Sequence, residues 1–210
     1  MYVKNHILEK SQLTLINAED SIKTAMEKLD EQNFMSLPVV EGDKFVGYLM
    51  RADIFEAYYN KDLSKDEFLN LKTREFMKTD INSLDPDDGI DKASYAIEKL
   101  NIPFLPVINV DGKFLGILTH AAIFKAFSDL FNLGKGKQMI VYIFNIPGQL
   151  SRLLNVFRRE DVNVASMVVM DAKVMGILKV LVRVEADNIQ DISEKVEKEG
   201  FKMFTALIIL

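Results

Sequence analysis

The sequence predicts an α+β chain in which two pseudo-symmetric β-α-β-β-α units precede a ferredoxin-like β-α-β-β-α-β segment. Three observations predict it. Residues 37–55 read LPVVEGDKFVGYLMRADIF, and residues 105–124 read LPVINVDGKFLGILTHAAIF, so one stretch is written twice. Each copy follows a helical stripe: Ile22, Ala25, Met26 and Leu29 before the first, Ile90, Ala93, Ile97 and Leu100 before the second. Beyond residue 137, alternating apolar runs and one-faced helical patterns follow each other in the β-α-β-β-α-β order. Two copies are too few for a solenoid, which needs three or more repeats to bury a core. They are expected to pack face to face, with function sought first in the cleft between them.

Taken in order, residues 13–16 read as a strand, and Asp20 or Ser21 caps a helix that runs to Glu31. Residues 36–40 and 45–49 read as strands around a three-residue turn, Glu41-Gly42-Asp43, and a helix follows from Asp53 to Tyr59. A polar connector, 60–73, carries one short helix around 68–71. In the second copy, Asp85-Pro86-Asp87-Asp88 opens the helix, Pro being tolerated in a first turn. Strands at 104–109 and 114–119 and a helix at 121–130 complete it. The stretch Gly134-Lys135-Gly136-Lys137 is a linker, since a phosphate loop needs GxxxxGK[ST] between a strand and a helix. Strands at 138–145, 163–170, 176–184 and 202–209 alternate with helices at 149–160 and 189–199. The last strand, KMFTALIIL, is apolar to its end and is expected to be interior or paired with another subunit, because a bare apolar edge aggregates. The expected boundaries are 1–60, 61–73, 74–131, 132–137 and 138–210.

Composition narrows the function. The 210 residues are 49% hydrophobic, and no apolar run reaches the roughly 18 residues that span a bilayer. The start, MYVKNHILEK, lacks a signal-peptide pattern, and there is no cysteine, so a cytoplasmic location is expected, without disulfides or thiolate metal sites. A net charge of −5 argues against nucleic acid as a partner; Arg152, Arg158 and Arg159 read as a solvated helix face. His6 and His120 are the two histidines and assemble no metal cluster. No constellation for catalysis is present, and the expectation is a non-enzyme without a catalytic cofactor.

The duplicated unit, with its LPVV strand, its Asp- and Lys-bearing turn and its closing GYLMRAD and GILTHAA segments, resembles the CBS domain, which occurs in tandem as a nucleotide-sensing Bateman module. The segment FNIPGQLSRLLNVFRREDVNV resembles the opening of an ACT domain, and the domain order resembles the acetoin-utilisation AcuB-type proteins. The resemblance implies adenosine-type binding (AMP, ADP, ATP, NADH or S-adenosylmethionine) at Gly-hydrophobic-x-Thr/Ser-x-x-Asp. In the family the hydroxyl contacts phosphate, the Asp accepts ribose hydroxyls, and adenine lies near the strand Pro. Carried over, the adenine strand positions are Pro38, Val39, Pro106 and Val107. The first copy has Gly47, Met50 in the hydroxyl place and Asp53; the second has Gly116, Thr119 and, in the acidic place, Ala122. Neither is complete, the two clefts are expected to differ, and the Asp53 site is the better candidate. Plainer roles stand beside these: Asp53 as a helix cap or first-turn acid, Thr119 as a cap, and His120 next to Thr119 as a solvated residue rather than a phosphate contact.

In the ACT resemblance a small ligand, such as an amino acid, meets Asn145, Pro147, Gly148, Gln149, Leu150 and Asn163, with Asn145 where the family has Asp; the alternative is an ordinary tight turn. The whole implies a homodimeric ligand-sensing regulator acting on an unidentified protein. The alternative is a ligand-free oligomerisation scaffold.

Overall fold

The computed structural model describes residues 1–100 and 102–204, which fall into two units, Met1–Ala126 and Phe127–Leu210. The first unit contains β1 (Leu8–Glu9), β2 (Ile16–Asn17) and α1 (Ile22–Glu31). The Ser21 hydroxyl, not Asp20, starts α1 by accepting the Thr24 N–H at 3.2 Å, and the helix buries Ile22, Ala25 and Leu29. The hairpin β3 (Ser36–Glu41) and β4 (Lys44–Met50) turns on two residues rather than three. Gly42 takes φ 58°, so Glu41 stays in the ladder opposite Lys44. Next come α2 (Arg51–Asn60) and α3 (Lys65–Leu69), the latter three residues ahead of its expected place because Ser64 and Glu67 form a reciprocal capping box.

The second repeat supplies α4 (Ile90–Leu100), β5 (Phe104–Ile108), β6 (Phe114–Thr119) and α5 (His120–Leu130). Here Asp85–Asp88 does not open the helix. The Asp88 carboxylate accepts the Asp85 N–H at 3.0 Å and the Asp85 carboxylate accepts the Asp87 N–H at 2.9 Å, folding a turn ahead of Ile90. The expected strand at 13–16 is likewise displaced to Ile16–Asn17, because residues 10–12 form a one-turn 3-10 helix.

The sheets are ordered β2-β3-β4 and β1-β6-β5. Each is closed by chain from outside its own repeat. Lys78 exchanges both backbone hydrogen bonds with Tyr48 on β4, at 2.9 and 2.8 Å, while Leu8 on β1 lies opposite Ile117 on β6. The flanking bonds repeat too. Thr73 N–H donates to Asp20 C=O and Val3 N–H to Asp88 C=O, both at 2.9 Å. Residues 72–78 thus complete the first repeat and residues 2–9 complete the second. A Cβ at Gly47 would strike the Lys78 carbonyl, and one at Gly116 the Leu8 carbonyl, which is why both closing strands carry glycine there. Between the sheets Phe45 meets Phe104 and Phe114, with ring centroids 6.4 and 5.2 Å apart, and Tyr48 meets Phe104 at 6.0 Å.

The second unit runs β7 (Lys137–Phe144), α6 (Gln149–Arg159), β8 (Asn163–Asp171), β9 (Ile177–Glu185), α7 (Ile189–Lys198) and β10 (Lys202–Phe204). The sheet order is β10-β7-β9-β8 with every neighbour antiparallel, the ferredoxin-like arrangement. Met139, Val141, Ile143, Val180 and Val182 on the sheet pack with Leu153, Phe157, Ile192 and Val196 on the helices. The buried Arg183 donates to the Lys135 and Gly136 carbonyls and to Gln138 Oε1, which ties down the glycine-lysine stretch. Arg152 donates to the Glu199 carbonyl and Arg159 pairs with the Glu199 carboxylate at 2.5 Å, so two of the three helix arginines link α6 to the end of α7. β10 takes an outer position in the sheet; the remainder of the expected last strand, 205–210, lies outside the described residues.

Because the crosswise segments press on Gly47 and Gly116, Gly47→Ala and Gly116→Ala should each cost about 1–3 kcal/mol through forced backbone shifts. A lowered urea midpoint checks this, with the exposed Lys99→Ala as an unaffected control.

Candidate ligand clefts

The pairing of repeats creates a cavity of about 200 Å³ lined by Leu8, Leu13 and Thr14, by residues 34–38, and by Pro103, Phe104, Ile117 and Thr119. Consecutive residues at the start of β3 reach it, Leu37 facing both the cavity and the core. Pro38 lines the cavity, whereas Val39 joins the core beneath α1. Pro106 and Val107 on β5 are both buried, in the corresponding strand of the other repeat. Thr119 ends β6, and its Oγ1 accepts the Ala122 N–H at 3.2 Å. The threonine therefore caps α5 and lines the cleft at once, with its hydroxyl hydrogen still available to donate. His120 is exposed and places Nδ1 3.2 Å from the Pro103 carbonyl. Ala122 adds no polar atom beyond its backbone.

At the corresponding positions of the first repeat the chemistry is different. Met50 precedes α2 in the position that Thr119 holds before α5, and its side chain makes no cap. Asp53 stands in the first turn of α2 rather than at its cap, with 22% of its side chain exposed. Its carboxylate is straddled by the Lys78 ammonium, 2.9 Å from Oδ1 and 2.8 Å from Oδ2. Accepting that hydrogen bond, Asp53 holds the lysine above its ordinary pKa, against a smaller opposing effect of burial. Lys78 lies 25 residues beyond Asp53 and outside both written repeats, so the motif does not reveal it. The crosswise pairing does. Leu8, its counterpart against Gly116, lines the Thr119 cavity.

In the second unit the turn residues stand together. Gly148 at φ 86° precedes α6, whose first residues are Gln149 and Leu150, and the Gly148 carbonyl accepts the Arg152 N–H at 3.0 Å. Asn145 and Pro147 lead into this turn, and the Asn145 N–H donates to the Gly176 carbonyl at 2.8 Å. Asn145 also borders a cavity of about 570 Å³ against the β8–β9 hairpin, with Asp171, Lys173 and Met175. Asn163 is not part of this group. It pairs with Glu185, Nδ2 to Oε2 at 2.8 Å, eight residues along β9 from the Ile177 that faces Phe144, or about 27 Å at strand rise. Among the described residues no cluster of three or more His, Asp or Glu could hold a metal ion, and no helix is long and apolar enough to cross a membrane.

The family model of the CBS domain matches residues 6–60 and 74–129, more than half of the chain. The uncharacterized protein MJ1232 of Methanocaldococcus jannaschii is 28% identical over 116 residues, covering 55% of this chain and 36% of that protein. The chain spans still smaller shares, 21% and 25%, of two other curated relatives. Among solved structures, CBSX2 in complex with AMP aligns with a TM-score of 0.54 at 22% identity, over 61% of this chain and 96% of that one. CbpB in complex with c-di-AMP aligns with a TM-score of 0.56 at 22% identity, over 63% and 87%. At such identities the likeness is one of fold.

Loss of the cap should make Thr119→Ala less stable by about 1 kcal/mol. Thr119→Ser, which keeps the accepting oxygen, should recover most of it in the same chemical denaturation series.

Proposed function

Because the chain belongs to the CBS domain family, we propose that it is a ligand-sensing regulatory protein whose repeat pair takes an adenosine-containing nucleotide between its sheets. The observation that carries this reading is the division of polar groups between the clefts. Asp53 offers two acceptors to a vicinal diol, and Thr119 offers a hydroxyl beside the free N–H groups at the start of α5. Pro38, Phe104 and Ile117 provide apolar walls on which a base packs. The AMP and c-di-AMP carried by CBSX2 and CbpB support an adenine ligand.

On this reading the site set is Pro38, Met50, Asp53, Pro106, Val107, Thr119 and His120, with Val39 supporting it from the core, and AMP, ADP, ATP, NADH and S-adenosylmethionine are the ligand class. The second unit acts as an ACT domain in an AcuB-type arrangement, binding an amino acid or similar molecule at the Asn145–Leu150 turn or dimerising. Its ferredoxin-like order and the glycine at φ 86° ahead of α6 support that assignment. Aromatic side chains left exposed on α2, Phe55, Tyr58 and Tyr59, favour a homodimer, and in a ligand-free scaffold they would be the whole of the function. The protein signals by binding rather than by catalysis.

Calorimetry on the full chain with that nucleotide panel, alongside amino acids, tests the reading. A nucleotide at about 100 times its Kd should stabilise the fold by roughly 2.7 kcal/mol. Heat and a matching thermal shift with at least one adenine compound are expected. Silence from all of them, in a stable dimer, would leave the scaffold.

A further inference from the structure

Beside Asp53 stands a cation that the repeated motif does not contain. We propose that Lys78 is the phosphate-recognising and selectivity-determining residue of this site: it rests on Asp53 until a ribonucleotide's diol takes the carboxylate and its phosphate takes the ammonium. The inference rests on the nucleotide reading above.

Three observations carry it. The lysine is held in place by its backbone, which exchanges two hydrogen bonds with Tyr48, two residues before Met50. Only the side chain has to move for the ammonium to leave Asp53. Next, Met50 stands where the second repeat has Thr119 and offers no donor to an anion, whereas the Lys78 ammonium brings three N–H donors to the same cleft. Finally, the contrast between clefts is built into the crosswise segments. Leu8 occupies the place of Lys78 where Thr119 supplies a hydroxyl and Ala122 no acid, so charge is confined to the cleft that has Asp53.

The exchange has a definite chemical preference. A nucleoside would have to part the ion pair and leave the ammonium unpaired. A nucleoside phosphate gives each partner a replacement: two hydroxyl donors for the carboxylate, an anion for the ammonium. Lys78 therefore favours nucleotides over nucleosides.

The test is calorimetry of the full chain with AMP and with adenosine, for the wild type, Lys78→Met, Lys78→Arg and Asp53→Asn. The wild type should bind AMP the more tightly. Lys78→Met should weaken AMP by about tenfold or more while adenosine binds as well as before or better. Lys78→Arg should keep the AMP preference, and Asp53→Asn should weaken both ligands. A wild-type AMP affinity that falls with added salt more steeply than the adenosine affinity gives the same answer without any variant. If Lys78→Met weakened both ligands equally or neither, or if salt affected them alike, the role of Lys78 would be overturned while the nucleotide site stood. A wild type that bound neither ligand would overturn both.

Discussion

A two-stranded hairpin exposes a row of backbone N–H and C=O groups along each outer edge, and those groups must find partners if the hairpin is to be buried. In this chain neither β4 nor β6 finds its outer partner within its own repeat. Tyr48 is closed by Lys78 and Ile117 by Leu8, so the first nine residues serve the second repeat and the segment after α3 serves the first. The glycines at 47 and 116 follow directly, because a side chain there would collide with the closing carbonyl. So does the mutual dependence of the repeats: the Phe45, Phe104 and Phe114 contacts join two sheets that are each incomplete without the other's flank.

The same constraint breaks the symmetry of the clefts. The backbone of residues 8 and 78 is placed alike, but one side chain is apolar and the other a cation. Around the Leu8 side the lining is uncharged and largely apolar, with the helix-capping Thr119 hydroxyl among its few polar groups. Around the Lys78 side an ammonium donates to Asp53 Oδ1 and lies close to Oδ2, which is buried and accepts no hydrogen bond among the described residues. Being partly exposed, that pair contributes little to stability, since such pairs are worth about 0–1 kcal/mol. A small cost of separation is what allows a ligand to exchange for either partner.

Much of the architecture was legible in the residues. The stripe of Ile22, Ala25 and Leu29, the LPVV and LPVI strands and the ladder from 137 to 185 are local patterns, and their burial follows them. Errors came where a side chain outbid the pattern: the Asp85 and Asp88 carboxylates fold a turn instead of a helix start, and Gly42 shortens its hairpin by one residue. The crosswise closure was not legible, because residues 2–9 and 72–78 share no repeated motif and their likeness lies in backbone position alone. Lys78 was hidden for the same reason. In the second unit the turn at Gly148 could be read from Pro147-Gly148, whereas the separation of Asn163 from Asn145 depends on which end of β8 faces that turn, which only the sheet order tells.

The most direct test of the account is a crystal structure of the full chain grown with AMP. It should place the ribose hydroxyls at hydrogen-bond distance, about 2.7 Å, from the Asp53 carboxylate, with the Lys78 ammonium moved from Asp53 onto the phosphate. AMP bound elsewhere, or bound in this cleft with Lys78 still on Asp53, would contradict it.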